Sequence, residues 1–146
     1  MKFARLLVTI VVALAVTGCT CRTRQVGPSN VPPMDEASEI ADIHFAFDSY
    51  ELSQEALEIA RNAAVWLSHH PEKSVKLEGH CDERGTTEYN MVLGNNRARA
   101  VYEYLRSLGV EDSRMTPVSY GEEFPLDPGH NEEAWAKNRR VHFAVE

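Results

Sequence analysis

The sequence predicts an α/β domain of the α+β kind, a two-layer sandwich with a mixed four-stranded sheet and two long helices on one face. Three observations support this fold. Short runs of alternating apolar and polar residues are typical of strands, and two longer segments carry apolar residues at helical spacing. These elements interleave in the order β-α-β-α-β-(short α)-β, which favours a layered arrangement. The last strand is short and terminal, so we expect a mixed rather than a purely parallel sheet.

The first strand and the first helix have clear local signals. Ile43, Phe45 and Phe47 alternate with polar or small residues, which is strand periodicity. Ser53 is suited to cap the following helix, because its hydroxyl can accept a hydrogen bond from a free N–H of the first turn. The helix must end before Pro71. Between these limits, apolar residues recur at helical spacing: Leu52, Ala56, Ile59, Ala60, Ala63 and Leu67.

The second strand and the second helix follow the same pattern. Residues alternate from Val75 to Gly79, and Thr87 is predicted to cap the helix after them. Gly109 closes that helix, since glycine readily adopts the left-handed backbone that follows a helix end. Gly94, inside the helix, costs about 1 kcal/mol relative to alanine, which indicates a packing reason for it. The apolar positions of this helix are Leu93, Val101, Leu105 and Leu108.

The remaining elements are short. Residues Met115 to Tyr120 read as a third strand, and a loop rich in proline and glycine runs from Gly121 to Gly129. Asn131 starts a short helix around Trp135. Apolar residues alternate again from Val141 to Val145, which predicts the last strand.

The N-terminus reads as an export signal over residues 1–18. Two basic residues precede an apolar run of 11 residues, Leu6 to Val16, which is too short for a bilayer span of roughly 20 residues. Small residues then lead to Cys19, a pattern that resembles the bacterial lipobox. The resemblance implies cleavage before Cys19, lipidation of that residue and, since Thr20 is not an aspartate, placement in the outer membrane. A plain signal peptide with an incidental Cys19 is the alternative.

A tether and one domain are predicted after the signal. Residues 19–39 are rich in proline, hydroxyl side chains and charge, and have too few apolar residues for a core. Residues 40–146 are long enough to form one ordinary domain. The chain has 15 basic and 22 acidic side chains, and loss of Lys2 and Arg5 with the signal leaves 13 against 22, a net charge of −9. Nucleic acid is therefore a poor candidate partner.

Two cysteines remain once Cys19 is assigned to lipid. The periplasm is oxidising, so a disulfide between Cys21 and Cys81 is one interpretation. A buried free thiol at Cys81 is the other, because spacing alone does not establish that two cysteines lie within bonding distance.

The loop between the second strand and the second helix is the candidate site. Asn90, Leu93 and Arg97 share one helix face, so that Arg97 falls in line with the apolar stripe. A guanidinium there needs partners. The loop supplies Asp82 and brings free N–H groups to a helix N-terminus, which favours an anion. The two charges suit a ligand that carries both an ammonium and a carboxylate. The alternative is a simple Asp82–Arg97 ion pair that joins loop and helix. Both interpretations can hold, since the two residues could pair with each other in the empty state and with a ligand in the bound state.

Two chemical classes are disfavoured by the motifs. His80 and Asp82 lie two residues apart in a loop and form no oriented nucleophile–base chain, so we expect no enzyme activity. The six histidines show no pairing typical of metal ligands, so we expect no metal and no cofactor.

The same residues resemble a known family, the OmpA-like peptidoglycan-binding domain, and more narrowly the peptidoglycan-associated (Pal) lipoproteins. The resemblance covers the whole predicted domain. The strings that carry it are Gly79-His80-Cys81-Asp82-Glu83-Arg84-Gly85-Thr86, Glu88-Tyr89-Asn90, Leu93-Gly94, Arg97-Ala98, Phe47-Asp48-Ser49-Tyr50, Ser119-Tyr120-Gly121-Glu122, Gly129-His130-Asn131-Glu132-Glu133-Ala134-Trp135 and Lys137-Asn138-Arg139-Arg140.

This resemblance implies non-covalent binding of the peptidoglycan stem peptide at its meso-diaminopimelate residue. It assigns the ligand ammonium to Asp82 and the ligand carboxylate to Arg97. The other implied roles are support of loop and ligand by Asn90, a pocket wall at Leu93, carboxylate-binding amides around Gly85 and Thr86, and an opposite rim formed by Phe47 and Asp48.

The resemblance also implies a setting. It places the domain in the periplasm, attached to the outer membrane by lipid on Cys19, with TolB and other Tol proteins as partners in envelope integrity and cell division. A lipid-anchored interaction module without direct wall binding is the alternative. Three positions depart from the usual pattern of the family, namely Cys81, Thr87 and Asn96.

Overall fold

The computed structural model describes residues 40–146. The predicted signal segment 1–18, the lipidation site Cys19 and the tether 19–39 lie outside the described residues. The elements, in chain order, are β1 (Ile43–His44), α1 (Gln54–His69), β2 (Val75–His80), α2 (Thr87–Ser107), a short 3₁₀ turn (Asp112–Arg114), β3 (Met115–Gly121), α3 (Glu132–Asn138) and β4 (Arg140–Val145). Within the described part of the chain, no helix combines the length and apolar character needed to cross a bilayer.

The four strands form one mixed sheet in the order β1-β4-β2-β3. β2 and β3 are parallel, whereas β4 runs antiparallel to both β1 and β2. Leu77 in the middle of β2 lies opposite Phe143 on one side and Pro117 on the other. The predicted mixed sheet is therefore confirmed, and the terminal strand β4 is central rather than at an edge.

The two long helices cover one face of this sheet, as predicted. α1 contributes a stripe of small residues and a leucine, and α2 contributes its own apolar stripe. Small side chains allow close approach of helix and sheet, and the larger apolar residues of the strands fill the space between them. The most deeply buried members of this core are Ile43, Ala60, Leu67, Leu77, Ala98, Val101, Leu105, Val141 and Phe143.

Helix caps agree with the sequence at two of three positions. Ser53 accepts a hydrogen bond from the Ala56 N–H at 3.1 Å, and Asn131 caps α3 in the same way. The prediction that Thr87 caps α2 is wrong, because Thr86 has the extended backbone of a cap and accepts from the Tyr89 N–H at 3.2 Å. Two adjacent threonines offer the same side chain, and only the backbone conformation distinguishes them.

The first strand is shorter than the alternating pattern predicts. The ladder with β4 ends at His44, although the buried Phe45 still donates its N–H to the Arg139 carbonyl at 2.9 Å. Phe47 is 57% exposed rather than directed into the core. Asp48 has a positive φ of 53°, which turns the chain away from the sheet at this point.

Gly94 does have a packing reason, since it is where α2 crosses β2. A Cβ on Gly79 would lie 2.0 Å from the Gly94 carbonyl oxygen, and one on Gly94 would lie 2.4 Å from the Ser119 Oγ. Side chains at these positions would push the helix off the sheet. The contact of two glycines therefore fixes the distance between β2 and α2, the two elements that flank the candidate site.

Gly79→Ala is expected to destabilise the domain by about 3 kcal/mol. The added methyl group would overlap the Gly94 backbone, which cannot rotate out of the way as a side chain can. Urea unfolding of the protein expressed from residue 20 onward measures this effect. The matched control is Gly109→Ala, where a positive φ of 93° gives strain but nothing lies within 4 Å of the added group. There the loss should be only about 1 kcal/mol, and equal losses in the two variants would contradict the close-contact explanation.

Candidate ligand-binding site

A cavity of about 230 Å³ opens where β2 ends and α2 begins. Seven of the eight predicted site residues line it, and the eighth, Thr86, caps α2 beside it instead. The full lining is Phe47, Asp48, Cys81, Asp82, Arg84, Gly85, Tyr89, Asn90, Leu93 and Arg97. The cavity therefore combines a carboxylate, a buried guanidinium, aromatic rims and a helix N-terminus.

Asp82 is the negative group of the cavity and is only 4% exposed. It accepts hydrogen bonds from the Arg84 side chain, through Nε at 3.2 Å and Nη2 at 2.8 Å, and from the Arg84 backbone N–H at 3.1 Å. Arg139 Nη1 adds a fourth bond at 3.2 Å. Burial by itself would raise the pKa of Asp82, but these bonds outweigh it and the pKa is lowered from its ordinary value. The carboxylate is thus ionised and paired.

Arg97 is fully buried, with 0% exposure, and its partners are three backbone carbonyls and, at 3.5 Å, the Cys81 Sγ. Its Nε donates to the Ser49 oxygen at 2.8 Å, its Nη1 to the His80 oxygen at 2.8 Å and its Nη2 to the Ala46 oxygen at 3.2 Å. A simple Asp82–Arg97 ion pair is therefore not what joins loop and helix. Arg97 instead ties the segment after β1 to the end of β2, and it still borders the cavity.

Asn90 and Gly85 shape the loop that carries Asp82. The buried Asn90 amide donates to the Asp82 carbonyl at 3.2 Å and to the Arg84 carbonyl at 3.4 Å, and it also contacts the Glu122 carboxylate. Gly85 has a φ of 124°, a conformation that L side chains rarely adopt. These two residues hold the turn, and the Leu93 side chain, 8% exposed, forms an apolar part of the wall.

The opposite rim comes from the segment after β1. The Tyr89 hydroxyl donates to the Asp48 carboxylate, which links the start of α2 to this rim. The Phe47 ring centroid lies 4.0 Å from the Arg84 guanidinium carbon, and the Trp135 ring lies 4.3 Å from the same atom. Arg84 is therefore held between two aromatic rings, an arrangement that favours a cation.

Sequence reasoning missed four of these residues: Arg84, Tyr89, Trp135 and Arg139. Arg84 gives only one local signal of its pairing, its position two residues after Asp82. Arg139 lies 57 residues from Asp82 in the sequence, with no spacing signal to connect them. Arg139 ends α3 and directly precedes β4, the strand between β1 and β2, so its position depends on the sheet order.

Cys81 is a buried free thiol at the wall of the cavity, which agrees with one of the two sequence interpretations. Its possible partner Cys21 lies outside the described residues. The thiol donates to the Asn90 carbonyl at 3.3 Å, and burial raises the pKa of Cys81 to about 11. The side chain is thus a neutral thiol at physiological pH and adds no charge to the cavity.

Residues 40–146 contain no group of three or more histidine, cysteine, aspartate or glutamate side chains close enough together to hold a metal ion. The charged groups around the cavity are instead engaged with arginine, aromatic and backbone partners. These groups are suited to reversible binding by hydrogen bonds and ion pairs.

The chain is similar in sequence to known proteins. The OmpA family matches residues 44–139. A peptidoglycan-associated lipoprotein of Haemophilus influenzae is 35% identical over 98% of this chain and 98% of its own. Another, from Pasteurella multocida, is 45% identical over 70% of this chain and 68% of its own.

Solved structures show the same fold. The crystal structure of the peptidoglycan-associated lipoprotein from Burkholderia pseudomallei has a TM-score of 0.70 and 41% identity, over 72% of this chain and 89% of that one. The C-terminal domain of Helicobacter pylori MotB has a TM-score of 0.69 at 24% identity, over 73% and 84% of the two chains, a likeness of fold alone. The matches also confirm that the chain is not an enzyme. By its sequence and its fold, the chain belongs to the OmpA family and, within it, to the peptidoglycan-associated lipoproteins.

Proposed function

We propose that this protein is an outer-membrane lipoprotein that binds the peptide stem of peptidoglycan non-covalently, at meso-diaminopimelate. The observation that carries the proposal is the cavity itself, where Asp82 and Arg97 border one small volume with opposite charges. Its volume of about 230 Å³ is below the roughly 300–1,000 Å³ of sites for drug-sized molecules. A cavity of this size suits one amino-acid residue of a stem peptide rather than the whole peptide.

Each end of the ligand side chain has a partner in this proposal. The ammonium is assigned to Asp82, which stays ionised. The carboxylate is assigned to Arg97 and to the free N–H groups at the start of α2, near Gly85 and Thr86, where the helix dipole favours an anion. The methylene groups between them lie along Leu93.

The rest of the proposed site positions these contacts. Asn90 holds the loop by its hydrogen bonds to the Asp82 and Arg84 carbonyls. Phe47 and Asp48 form the facing rim. Because the site contains both charges, a ligand that carries only one of them makes one charge-assisted contact fewer, which costs affinity.

The biological setting proposed for this binding is an anchor between membrane and wall. Lipid on Cys19 holds one end in the outer membrane, residues 19–39 act as the tether, and the domain binds the wall in the periplasm. Tethering raises the effective concentration at the wall, so that many weak contacts act together. TolB and other Tol proteins are the proposed protein partners, in envelope integrity and cell division.

Titration with two stem peptides tests the proposal. One contains meso-diaminopimelate and the other contains lysine at the same position, which retains the ammonium but lacks the second carboxylate. The protein from residue 20 onward should bind the diaminopimelate peptide and bind the lysine peptide at least about tenfold more weakly, by analogy with other sites that lose a charged contact.

Equal binding of the two peptides would contradict the assignment of a carboxylate to Arg97 and the α2 N-terminus. Binding of neither peptide, by a folded protein, would favour the lipid-anchored interaction module that the sequence left as the alternative.

A further inference from the structure

The acceptor sites of Asp82 are already filled within the protein. An ionised carboxylate has about four lone-pair positions for hydrogen bonds. Arg84 occupies three of them, two through its guanidinium and one through its backbone N–H, and Arg139 occupies the fourth. A ligand ammonium can therefore contact Asp82 directly only if it displaces one of these donors.

The two arginines differ in how firmly they are held. Arg139 has a side chain that is 8% exposed, and it also donates to the Phe45 carbonyl at 3.1 Å and to Glu132 at 2.7 Å. Its removal would break contacts to the segment after β1 and to α3. The Arg84 side chain is 30% exposed and borders the cavity, so it is the donor that an incoming group meets.

Arg84 can leave without disturbing the loop. Its backbone N–H bond to Asp82 does not depend on the side chain, and the Asn90 amide holds the Arg84 carbonyl at 3.4 Å. The displaced guanidinium has a partner nearby, since Glu132 already lies 3.5 Å from Arg84 Nη1 on the solvent side. Only the side-chain bonds to Asp82 and the stacking between Phe47 and Trp135 are lost.

We infer that Arg84 is a displaceable internal cation that occupies the ammonium position of the site, and that it sets the specificity of the site for ligands with a primary ammonium group. The inference rests on the proposed function and deepens it. A neutral amide or hydroxyl does not offset the loss of the guanidinium–carboxylate bonds, whereas an ammonium replaces one charge-assisted interaction by another. The empty site is thereby closed to uncharged peptides, at the cost of weaker binding of the correct one.

The test compares Arg84→Gln with the wild-type protein, both from residue 20 onward, by calorimetric titration with the diaminopimelate stem peptide. We expect the variant to bind about tenfold more tightly, because the competing cation is gone while Asp82 and Arg139 remain. A second peptide, acetylated on the side-chain amine of diaminopimelate, should bind detectably only to the variant, because in the wild type it must displace Arg84 without supplying a positive charge in its place.

Matched variants separate this effect from other causes. Arg61→Gln removes the same charge from an exposed position on α1 and should leave affinity within about twofold. Arg84→Lys retains the positive charge but not the bidentate geometry of the guanidinium. Its affinity for the diaminopimelate stem peptide should lie between those of the wild type and Arg84→Gln. Thermal unfolding midpoints establish that each variant is folded.

The outcomes distinguish failure of the inference about Arg84 from failure of the proposed function. Wild-type binding with equal or weaker binding by folded Arg84→Gln would overturn the inference and leave the proposed function standing, with Arg84 as a bystander or a direct ligand contact. Absence of binding by the wild type and by every variant would overturn both.

Discussion

Asp82→Asn is expected to lower affinity for the diaminopimelate stem peptide by about 100-fold or more, the loss typical of truncating one partner of a buried charge pair. Asparagine preserves the shape of the side chain but not its charge. The Arg84 and Arg139 guanidiniums then keep only the exposed Glu132 as a counter-charge, and an ammonium is repelled where it was attracted. Calorimetric titration and co-sedimentation with isolated cell walls measure the loss.

The control for this variant is Glu88→Gln, which removes one negative charge from an exposed position in the first turn of α2. It should change affinity by less than about threefold, since exposed charges are screened by salt. A folded Asp82→Asn protein that still binds the wall at wild-type affinity would refute the proposed site.

The pH dependence of binding follows from the same carboxylate. Because the pKa of Asp82 is lowered in the folded protein, the carboxylate stays ionised as the pH falls from 7 to the ordinary pKa of aspartate. Any stability that the carboxylate contributes is lost only as the pH falls further, through the lowered pKa. Affinity should therefore stay nearly constant between pH 7.5 and pH 5, to within about twofold. A titration with a midpoint between pH 5 and pH 6 would contradict the paired state of Asp82.

Arg97→Ala is expected to destabilise the domain by about 3–5 kcal/mol, in addition to abolishing binding. The three carbonyl oxygens that Arg97 holds, from Ala46, Ser49 and His80, lose their partner, and the substitution leaves a cavity in a fully buried place. Urea unfolding monitored by circular dichroism measures the change.

Arg106→Ala is the matched control, because it removes an arginine from the exposed side of the same helix. Its partners Glu103 and Asp112 are also exposed, and such pairs contribute at most about 1 kcal/mol. Similar losses of stability in Arg97→Ala and Arg106→Ala would mean that the carbonyl contacts of Arg97 contribute little to the fold.

The features that the sequence predicted well are those that local chemistry determines. The helix that starts after Ser53 and ends before Pro71, and the short helix that Asn131 caps, depend on residues within a few positions of each other. The alternation of Val75 to Gly79 requires only a strand with one buried face. The mixed direction of the sheet was also predicted, from the short terminal strand, and β4 does run antiparallel to its neighbours.

The features that the sequence missed depend on contacts between distant segments. Phe47 continues the strand alternation, yet it packs against Arg84 because the chain turns at Asp48. Some partners of Asp82 and Arg97 also come from segments that are distant in the sequence. A pattern of spacing places both charges near one loop, but it does not reveal that Arg139 reaches Asp82 from the junction of α3 and β4 or that Arg97 binds main-chain oxygens.

The carbonyl contacts of Arg97 also determine which positions are free to vary. Every amino acid presents the same main-chain oxygen, so this contact constrains the identity of Arg97 alone and makes no demand on the side chains of residues 46, 49 and 80. Saturation mutagenesis scored for folded protein should therefore find a sharp contrast, with almost no tolerated replacement at Arg97 and many at Ala46 and Ser49. The contact between these two segments of the domain is then sensitive to substitution at Arg97 and insensitive to substitution at the residues whose carbonyls it binds.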